Sequence, residues 1–149
     1  FSESERKVLF CILDALWADV GEKSAREMAA AYDRQDVGKE EIVAYARRPA
    51  SSCGKAIEAV EAKVGCSTPE DIWELHLVLK ALASRSGCLA LTGKRGPIFR
   101  LQASAVEDIV KSWVLSPLAP LRETAKVFKL LVGVVAMGAA PGQEGVNWR

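Results

Sequence analysis

The chain has 149 residues, half of them hydrophobic, which is enough for one buried core and too few for several large domains. Its formal net charge is +1, so total charge points neither to nucleic acid nor to any strongly charged partner. The charge is uneven, since residues 1–79 carry 10 basic and 15 acidic side chains and residues 80–149 carry 10 basic and 4 acidic ones. The second half therefore suits an anionic surface or an acidic partner, with a merely solvated face as the alternative.

The four cysteines are Cys11, Cys53, Cys66 and Cys88, and none of them forms a C-x-x-C pair. His76 is the single histidine, so the close ligand spacing of a Cys/His zinc site is missing. The sequence therefore predicts no metal site. We expect free thiols in a reducing, intracellular compartment.

The first segment of the chain has clear helix signals. Ser2 and Glu5 have the spacing of a capping box, and apolar residues follow at helical spacing. Gly21 predicts the end of that helix. Residues 23–32 predict a weaker helix, and residues 36–38 a turn.

Two short helices are predicted next. One surrounds Ile42 and Tyr45 and ends before Pro49, because the residue preceding a proline disfavours the helical conformation. The other has an apolar stripe over residues 57–64, and Gly65 closes it.

The strongest helix start in the chain is at Thr68. Pro69 suits the first helical position, and the acidic residues 70–71 favour the positive end of the helix dipole. We expect this helix to have its C-cap at Ser86-Gly87. Residues 88–99 are then predicted to be a short extended link with turns rather than a helix.

The last part of the chain predicts two more helices. Ser104 and Glu107 have the spacing of a second capping box, leading into a helix that reaches Trp113. Ser116 is expected to cap the final helix, with Pro117 at its first position.

These signals together predict an all-α fold, an irregular bundle of about six or seven helices. The helical domain is expected to cover residues 1–140, and residues 141–149 are expected to be a linker. Five large apolar residues are predicted for the core: Leu13, Trp17, Leu75, Leu79 and Trp113.

Two glycine-containing segments match nucleotide-binding motifs only in part. A phosphate loop has four residues between its glycines and a Ser or Thr after its Lys. Here five residues separate Gly87 from Gly93, and Arg95 follows Lys94. The glycines of residues 138–145 lack the G-x-G-x-x-G spacing. The chain itself is therefore predicted to hold no cofactor and no catalytic residue.

Neither the histidine nor the basic pairs indicate a further site. His76 shares an apolar face with Ile72 and Leu79, which is typical of a core histidine with a hydrogen-bond partner, and no nucleophile can be assigned to it. The basic pairs at residues 47–48 and 94–95 are too short for a nucleic-acid footprint. We therefore expect no nucleic-acid partner.

The final helix combines cations with an apolar run. Arg122, Lys126 and Lys129 recur every three to four residues and so share one side of a helix. The run from Leu130 to Ala140 is too short to span a bilayer, which takes ~20 residues. A buried terminal helix, a helix lying on a membrane and a surface for another domain all remain open. The residues predicted for a membrane or domain interface are Arg122, Lys126, Lys129, Leu130, Leu131, Val134, Val135 and Met137.

Residues 89–131, LALTGKRGPIFRLQASAVEDIVKSWVLSPLAPLRETAKVFKLL, resemble a segment of the long-chain fatty alcohol oxidases, which are FAD-dependent glucose-methanol-choline-type oxidoreductases. The block from Trp113 to Lys129 is the most specific part. The opening FSESERKVLFCILDALW is similar to the start of that family's N-terminal region, and the final NWR resembles the end of its linker before the flavin-binding strand. The first helical part is also similar to the small subunit of membrane-bound gluconate-type dehydrogenases.

The resemblance implies the N-terminal helical region of an enzyme that converts long-chain primary alcohols and O2 to aldehydes and H2O2. FAD and the family's catalytic residues would then lie outside these residues, in the flavin domain. The partners implied are that flavin domain and a membrane surface, and the implied location is intracellular and membrane-associated. A free-standing helical accessory subunit or protein-interaction domain is the alternative.

Overall fold

A computed structural model describes residues 1–17, 26–27, 29–30, 38–52 and 55–138. The described residues contain seven α-helices with defined ends and no strand, which confirms the predicted all-α bundle. The helices are α1 (Glu3–Trp17), α2 (Lys39–Ala46), α3 (Ala56–Gly65), α4 (Pro69–Ala83), α5 (Arg85–Thr92), α6 (Ala103–Val114) and α7 (Ala119–Gly138). Two short 3₁₀-helices, Ala50–Ser52 and Ile98–Arg100, connect them.

Helix α1 lies at the centre of the bundle. It packs against α4, α6 and α7, while α7 also packs on α3 and α6, and α4 packs on α5. The side chains of Val8, Leu9, Ile12 and Leu13 recur at helical spacing and are fully buried. Helices α4, α6 and α7 therefore form one contiguous core with α1.

The five apolar residues predicted for the core, Leu13, Trp17, Leu75, Leu79 and Trp113, are all buried. Trp113 shows how the last two helices join that core. Its indole Nε1 donates to the carbonyl oxygen of Leu91 at 3.2 Å. Its ring stacks on Phe128, with 6.5 Å between ring centroids. Helix α7 is thereby fixed against α6.

Two helix starts match their predictions. Ser2 N donates to the carboxylate of Glu5 at 2.6 Å, and Glu5 N donates to the Ser2 hydroxyl at 3.4 Å, which is the predicted capping box of α1. Asp71 N donates to the Thr68 hydroxyl at 3.2 Å, and Thr68 N donates back to Asp71 at 3.4 Å. Both caps satisfy backbone donors that the first helical turn leaves without partners.

The segment around Gly87 differs from its prediction. Gly87 does not end α4, and part of residues 88–99 is helical rather than extended, because α5 continues to Thr92. Ser84 decides the boundary, since its hydroxyl accepts from Gly87 N at 3.0 Å and donates to the Ala81 carbonyl at 2.9 Å. Ser84 thus ends α4 and caps α5.

Gly87→Ala is expected to destabilise the bundle by about 1–3 kcal/mol, because an added Cβ would overpack the contact between α4 and α5. That Cβ would lie 2.4 Å from the Ala81 carbonyl oxygen and 2.7 Å from the Ala81 Cα, and backbone atoms cannot rotate away. Gly65→Ala is the matched control, since nothing lies within 4 Å of its added Cβ. Urea unfolding should show a loss for Gly87→Ala alone, and equal losses would contradict this close approach.

The predicted capping box at the start of α6 is wrong. Helix α6 already begins at Ala103 with Gln102 as its N-cap, so Ser104 lies inside the first turn. The 3₁₀-helix before it leaves Gln102 extended, with ψ of 150°, and the helix can start at once. Glu107 pairs with Lys111 one turn later instead of reaching back to Ser104.

Helix α7 begins at Ala119, two residues after the predicted Pro117. The Ser116 hydroxyl accepts from Leu118 N at 3.2 Å, so it caps the turn that leads into the helix. Pro120 lies in the first helical turn, where its missing N–H removes no helical hydrogen bond. The side chain of Leu115, which follows α6, is exposed rather than packed on the bundle.

Two further predicted helix ends are confirmed, and the other predictions concern residues that the structure does not describe. Helix α2 ends before Pro49 and α3 ends at Gly65, as predicted. The expected helix end at Gly21, most of the weak helix over residues 23–32 and most of the turn at residues 36–38 lie outside the described residues. The expected linker over residues 141–149, with the end of the helical domain at residue 140, also lies outside them.

Candidate functional site

The apolar residues predicted for an interface fall on two sides of α7. Leu131 and Val135 are buried in the core, so they hold the helix on the bundle and are not free to contact a partner. Leu130 is 54% exposed and Val127 is also exposed on the opposite side. Val134 is half-buried between these sides. Met137 belongs to α7, and its side chain lies outside the described part of the chain.

The cations of α7 are placed differently from one another. Arg122 is half-buried, and its Nη1 donates to the carbonyl oxygen of Ser116 at 2.7 Å. Lys126 and Lys129 are exposed, and Lys126 Nζ pairs with Glu123 at 2.8 Å. An exposed pair of this kind adds ~1 kcal/mol or less and leaves the lysine available. We define the α7 outer face as Lys126, Val127, Lys129, Leu130 and Val134.

A second apolar surface lies where α6 meets α7. Leu115 is 86% exposed and Leu118 is 60% exposed, and Val114 beside them is also exposed. We define residues 114–120 as the α6–α7 corner. Its sequence carries no charged side chain. Helical periodicity does not predict this surface, because most of its residues precede α7 and belong to no helix face.

A third apolar surface lies on α4. Trp73 is 64% exposed and Leu77 is exposed one turn later, so the two side chains are neighbours on the solvent side of the helix. The predicted apolar stripe of α4 lies on the other side and includes the buried Leu75 and Leu79. One side of α4 therefore faces the core. The opposite side exposes apolar side chains to water, which costs free energy.

His76 has a partner that the sequence did not reveal. Its Nδ1 lies 2.8 Å from Oε1 of Glu5, which comes from α1, and the Phe1 ring lies 5.1 Å from the imidazole. Burial of Glu5 acts to raise the pKa of that carboxyl. Hydrogen bonds from Ser2 and His76 outweigh burial and bring the pKa to about 2, from an ordinary value of 4.5. The pair joins α1 to α4 and is structural.

The described thiols do not form a reactive site. Cys88 is buried, Cys11 is half-buried and Cys66 is exposed, and all three are free. Burial, with a smaller effect of the Asp14 charge, raises the pKa of Cys11 to about 11, so this group stays a thiol at neutral pH. Its Sγ donates to the carbonyl oxygen of Ile98 at 3.7 Å. The thiol therefore acts as a core side chain.

The described residues also contain no grouped metal ligands, since no three His, Cys, Asp or Glu side chains come together among them. Cys53 lies outside the described residues. An open cavity of about 520 Å³ lies between α2 and residues 26, 29 and 30. Its described lining combines small apolar side chains with Arg26, Lys39, Glu40 and Arg47, and includes no Ser, Cys or His. The described lining thus offers no hydroxyl, thiol or imidazole nucleophile.

No protein-family model, no curated protein and no solved structure matches this chain. Among the helices that the structure describes, none is both long and apolar enough to cross a bilayer. Apolar side chains are exposed on three surfaces of the described residues: the α7 outer face, the α6–α7 corner and the solvent side of α4.

Proposed function

We propose that this chain is the helical docking domain of a flavin-dependent long-chain alcohol oxidase, and that its α7 outer face contacts the flavin-binding domain of the same enzyme. The resemblance of residues 89–131 to long-chain fatty alcohol oxidases supports the enzyme class. The observation that carries the docking role is the exposure of Leu130 between Lys126 and Val134 on a helix whose other side is core.

The composition of the α7 outer face suits a domain interface. Contacts between domains of one chain are more polar than a core and combine apolar side chains with charges. Val127 and Leu130 supply apolar area, and the Lys126–Glu123 pair supplies charges that water or a partner can solvate. Buried Leu131 fixes the helix on the bundle, so the α7 outer face is already ordered before a partner binds. Binding therefore costs little conformational entropy.

The position of α7 in the chain also favours this partner. It is the last helix that the structure describes, and Leu130 lies about 12 Å along its axis from Gly138. A flavin domain that follows α7 in the chain would be tethered beside the outer face. Tethering turns docking into an intramolecular step, so a modest apolar surface is sufficient.

Flavin binding and alcohol oxidation belong to the flavin domain in this proposal. The segment that resembles a phosphate loop is helix α5 and its C-cap, where Gly93 N donates to the Leu89 carbonyl at 2.9 Å. Cys88 N donates to the Ser84 carbonyl at 3.1 Å in the same helix. Backbone donors that are used in a helix cannot surround a phosphate.

A free-standing helical accessory subunit is the second candidate function. The exposed Trp73 favours it, because tryptophan is enriched among the residues that dominate binding to a separate protein chain. Trp73 and Leu77 lie on α4, which packs mainly on α1 and α5. A partner bound there would be distinct from a domain docked on the α7 outer face.

The proposal is tested on the product of the complete gene. We expect the reading frame to continue past the Arg149 codon into an apolar strand and a G-x-G-x-x-G segment. The purified product should carry FAD absorbance and form peroxide from long-chain primary alcohols, while residues 1–149 alone should bind no FAD. A stop codon directly after Arg149, or a product without flavin, would favour the accessory-subunit function.

The docking role has its own test. Leu130→Gln is expected to weaken binding of residues 1–149 to the separately produced flavin domain by about tenfold, as for a central apolar interface residue. Leu77→Gln is the matched control, because this leucine is exposed to a similar degree on α4. Calorimetric titration measures both dissociation constants. If Leu77→Gln weakens binding and Leu130→Gln does not, the docking surface is on α4.

A further inference from the structure

We infer that the α6–α7 corner docks onto an anionic lipid surface, with the side chains of Leu115 and Leu118 entering the headgroup region. This inference does not rest on the proposed enzyme. It depends on the exposure, backbone hydrogen bonding and surrounding charge of the corner, and it applies whether the chain is a domain or a separate subunit.

The corner exposes several apolar side chains in one short segment. Among the large apolar side chains that the structure describes as exposed, Leu115 is the most accessible, and Leu118 is close to Trp73 in accessibility. Pro117, Ala119 and Pro120 beside them are exposed too. Apolar side chains gathered in one segment mark an interaction surface more strongly than single ones do.

The shape of the corner distinguishes a lipid surface from a protein. Helices α6 and α7 pack against each other and are joined by residues 115–118, so the connection turns the chain back at one end of the helix pair. Side chains that project from such a turn need a cavity in a protein partner. A lipid headgroup layer yields around them without a matching cavity.

The backbone hydrogen bonding of the corner suits an apolar environment. Polar backbone groups without partners oppose entry into lipid. Ser116 N donates to the Trp113 carbonyl at 3.1 Å, and Leu118 N donates to the Ser116 hydroxyl at 3.2 Å. Pro117 and Pro120 have no N–H to satisfy. At residues 116–118 and 120, each backbone N–H is therefore either bonded or absent.

The charges around the corner fit an anionic surface. From Lys111 to Arg122 the chain carries two basic residues and no acidic one, and residues 112–121 carry no charge. Arg122 binds the Ser116 carbonyl at 2.7 Å, which holds its guanidinium at the base of the corner. Basic groups beside the corner attract anionic headgroups while the leucines enter between them.

Acidic side chains nearby reduce this attraction and do not reverse it. Glu107 pairs with Lys111, and Glu123 pairs with Lys126. Asp108 is exposed on α6, but it precedes Val114 by roughly 9 Å along the helix axis. Lys111 and Arg122 lie nearer to the corner, within about 5 Å of it along their helices, so basic side chains predominate there.

The test is flotation of the 149-residue chain with vesicles of phosphatidylcholine and phosphatidylserine in equal parts. We expect the chain to float with these vesicles, to float less with pure phosphatidylcholine and to be released as salt is raised. The double variant L115Q/L118Q should lower vesicle binding by at least about tenfold, because two apolar side chains no longer enter the headgroup region.

The matched control is L77Q/L89Q, which changes two other exposed leucines in the same way on α4 and α5. All four side chains are exposed, so both variants should keep the circular dichroism and unfolding midpoint of the wild type. Absence of flotation of the wild type, or equal flotation of the corner variant, overturns the inference and leaves a protein partner for the corner. Equal losses in both double variants would overturn it as well, since they would show general adhesion.

Discussion

Leu79→Ala is expected to lower the free energy of unfolding by about 2–5 kcal/mol, whereas Leu77→Ala in the same helix should lower it by less than about 1 kcal/mol. Leu79 is 0% exposed in the core where α4 meets α1, and Leu77 is 51% exposed on the solvent side. Both changes remove the same atoms and have the same effect on helix propensity. The difference between them therefore measures burial and the cavity that the smaller side chain leaves.

Urea unfolding of the two variants gives the measurement, and an unchanged dependence on urea concentration shows that both unfold from the same compact state. Similar losses at the two positions would mean that α4 is rotated about its axis relative to the arrangement described above. The same rotation would bury Trp73, so its fluorescence would report the error independently.

Helical periodicity predicted the core well because α1, α4 and α6 each have a stripe of large apolar residues at helical spacing. Leu13, Leu79 and Trp113 could be placed from spacing alone, since a strong stripe has only one way to face the bundle. The all-α fold class followed from the same stripes and from the caps at Ser2 and Thr68. Local hydrogen-bonding chemistry and long-range packing agree at these positions.

Periodicity was not sufficient on α7. From Leu130 to Val135 the helix has apolar residues or glycine on every side, so the sequence could not decide which of them face the core. The structure buries Leu131 and Val135 and exposes Leu130, because the stack of Phe128 on Trp113 sets the rotation of the helix. A predicted interface made of all these residues therefore mixed core with surface.

The α5 boundary could not be predicted because two local signals compete. Gly87 suits a helix end by its flexibility, whereas Ser84 suits a helix start by its hydroxyl. The close approach of Gly87 to Ala81 resolves the competition, since glycine is needed there for contact between helices rather than for a turn. That requirement arises from packing and has no signature in the neighbouring residues.

The Glu5–His76 pair lies beyond any local pattern, as the two residues are separated by 71 positions in the chain. The capping box identified Glu5, and the apolar face around His76 indicated a histidine with a partner, but only the packing of α1 on α4 brings them together. The carboxylate serves both elements, since Oε2 accepts from Ser2 N at 2.6 Å and Oε1 lies 2.8 Å from the imidazole. Its ionised form is therefore tied to the stability of the bundle.

The pH dependence of stability follows from the pKa of Glu5. The folded protein holds that pKa at about 2, below the ordinary value of 4.5, so folding favours the ionised carboxyl. Its contribution is complete above pH 4.5 and is lost as the pH falls towards 2, because the unfolded chain then binds the proton more readily. The size of this contribution is about 3 kcal/mol, since one unit of pKa corresponds to about 1.4 kcal/mol.

Glu5→Gln is expected to remove that contribution. The variant should be less stable than the wild type at neutral pH by up to about 3 kcal/mol, and the two should converge as the pH approaches 2, because the protonated carboxyl and the amide are both neutral. Glu74→Gln is the matched control, since this glutamate is exposed on α4 and its replacement leaves the Ser2 and His76 contacts in place. Urea unfolding between about pH 7 and about pH 2 measures the convergence. If the difference between wild type and Glu5→Gln stays constant over that range, the side chain stabilises the bundle by packing alone, and α1 is not held on α4 by the ionised carboxylate.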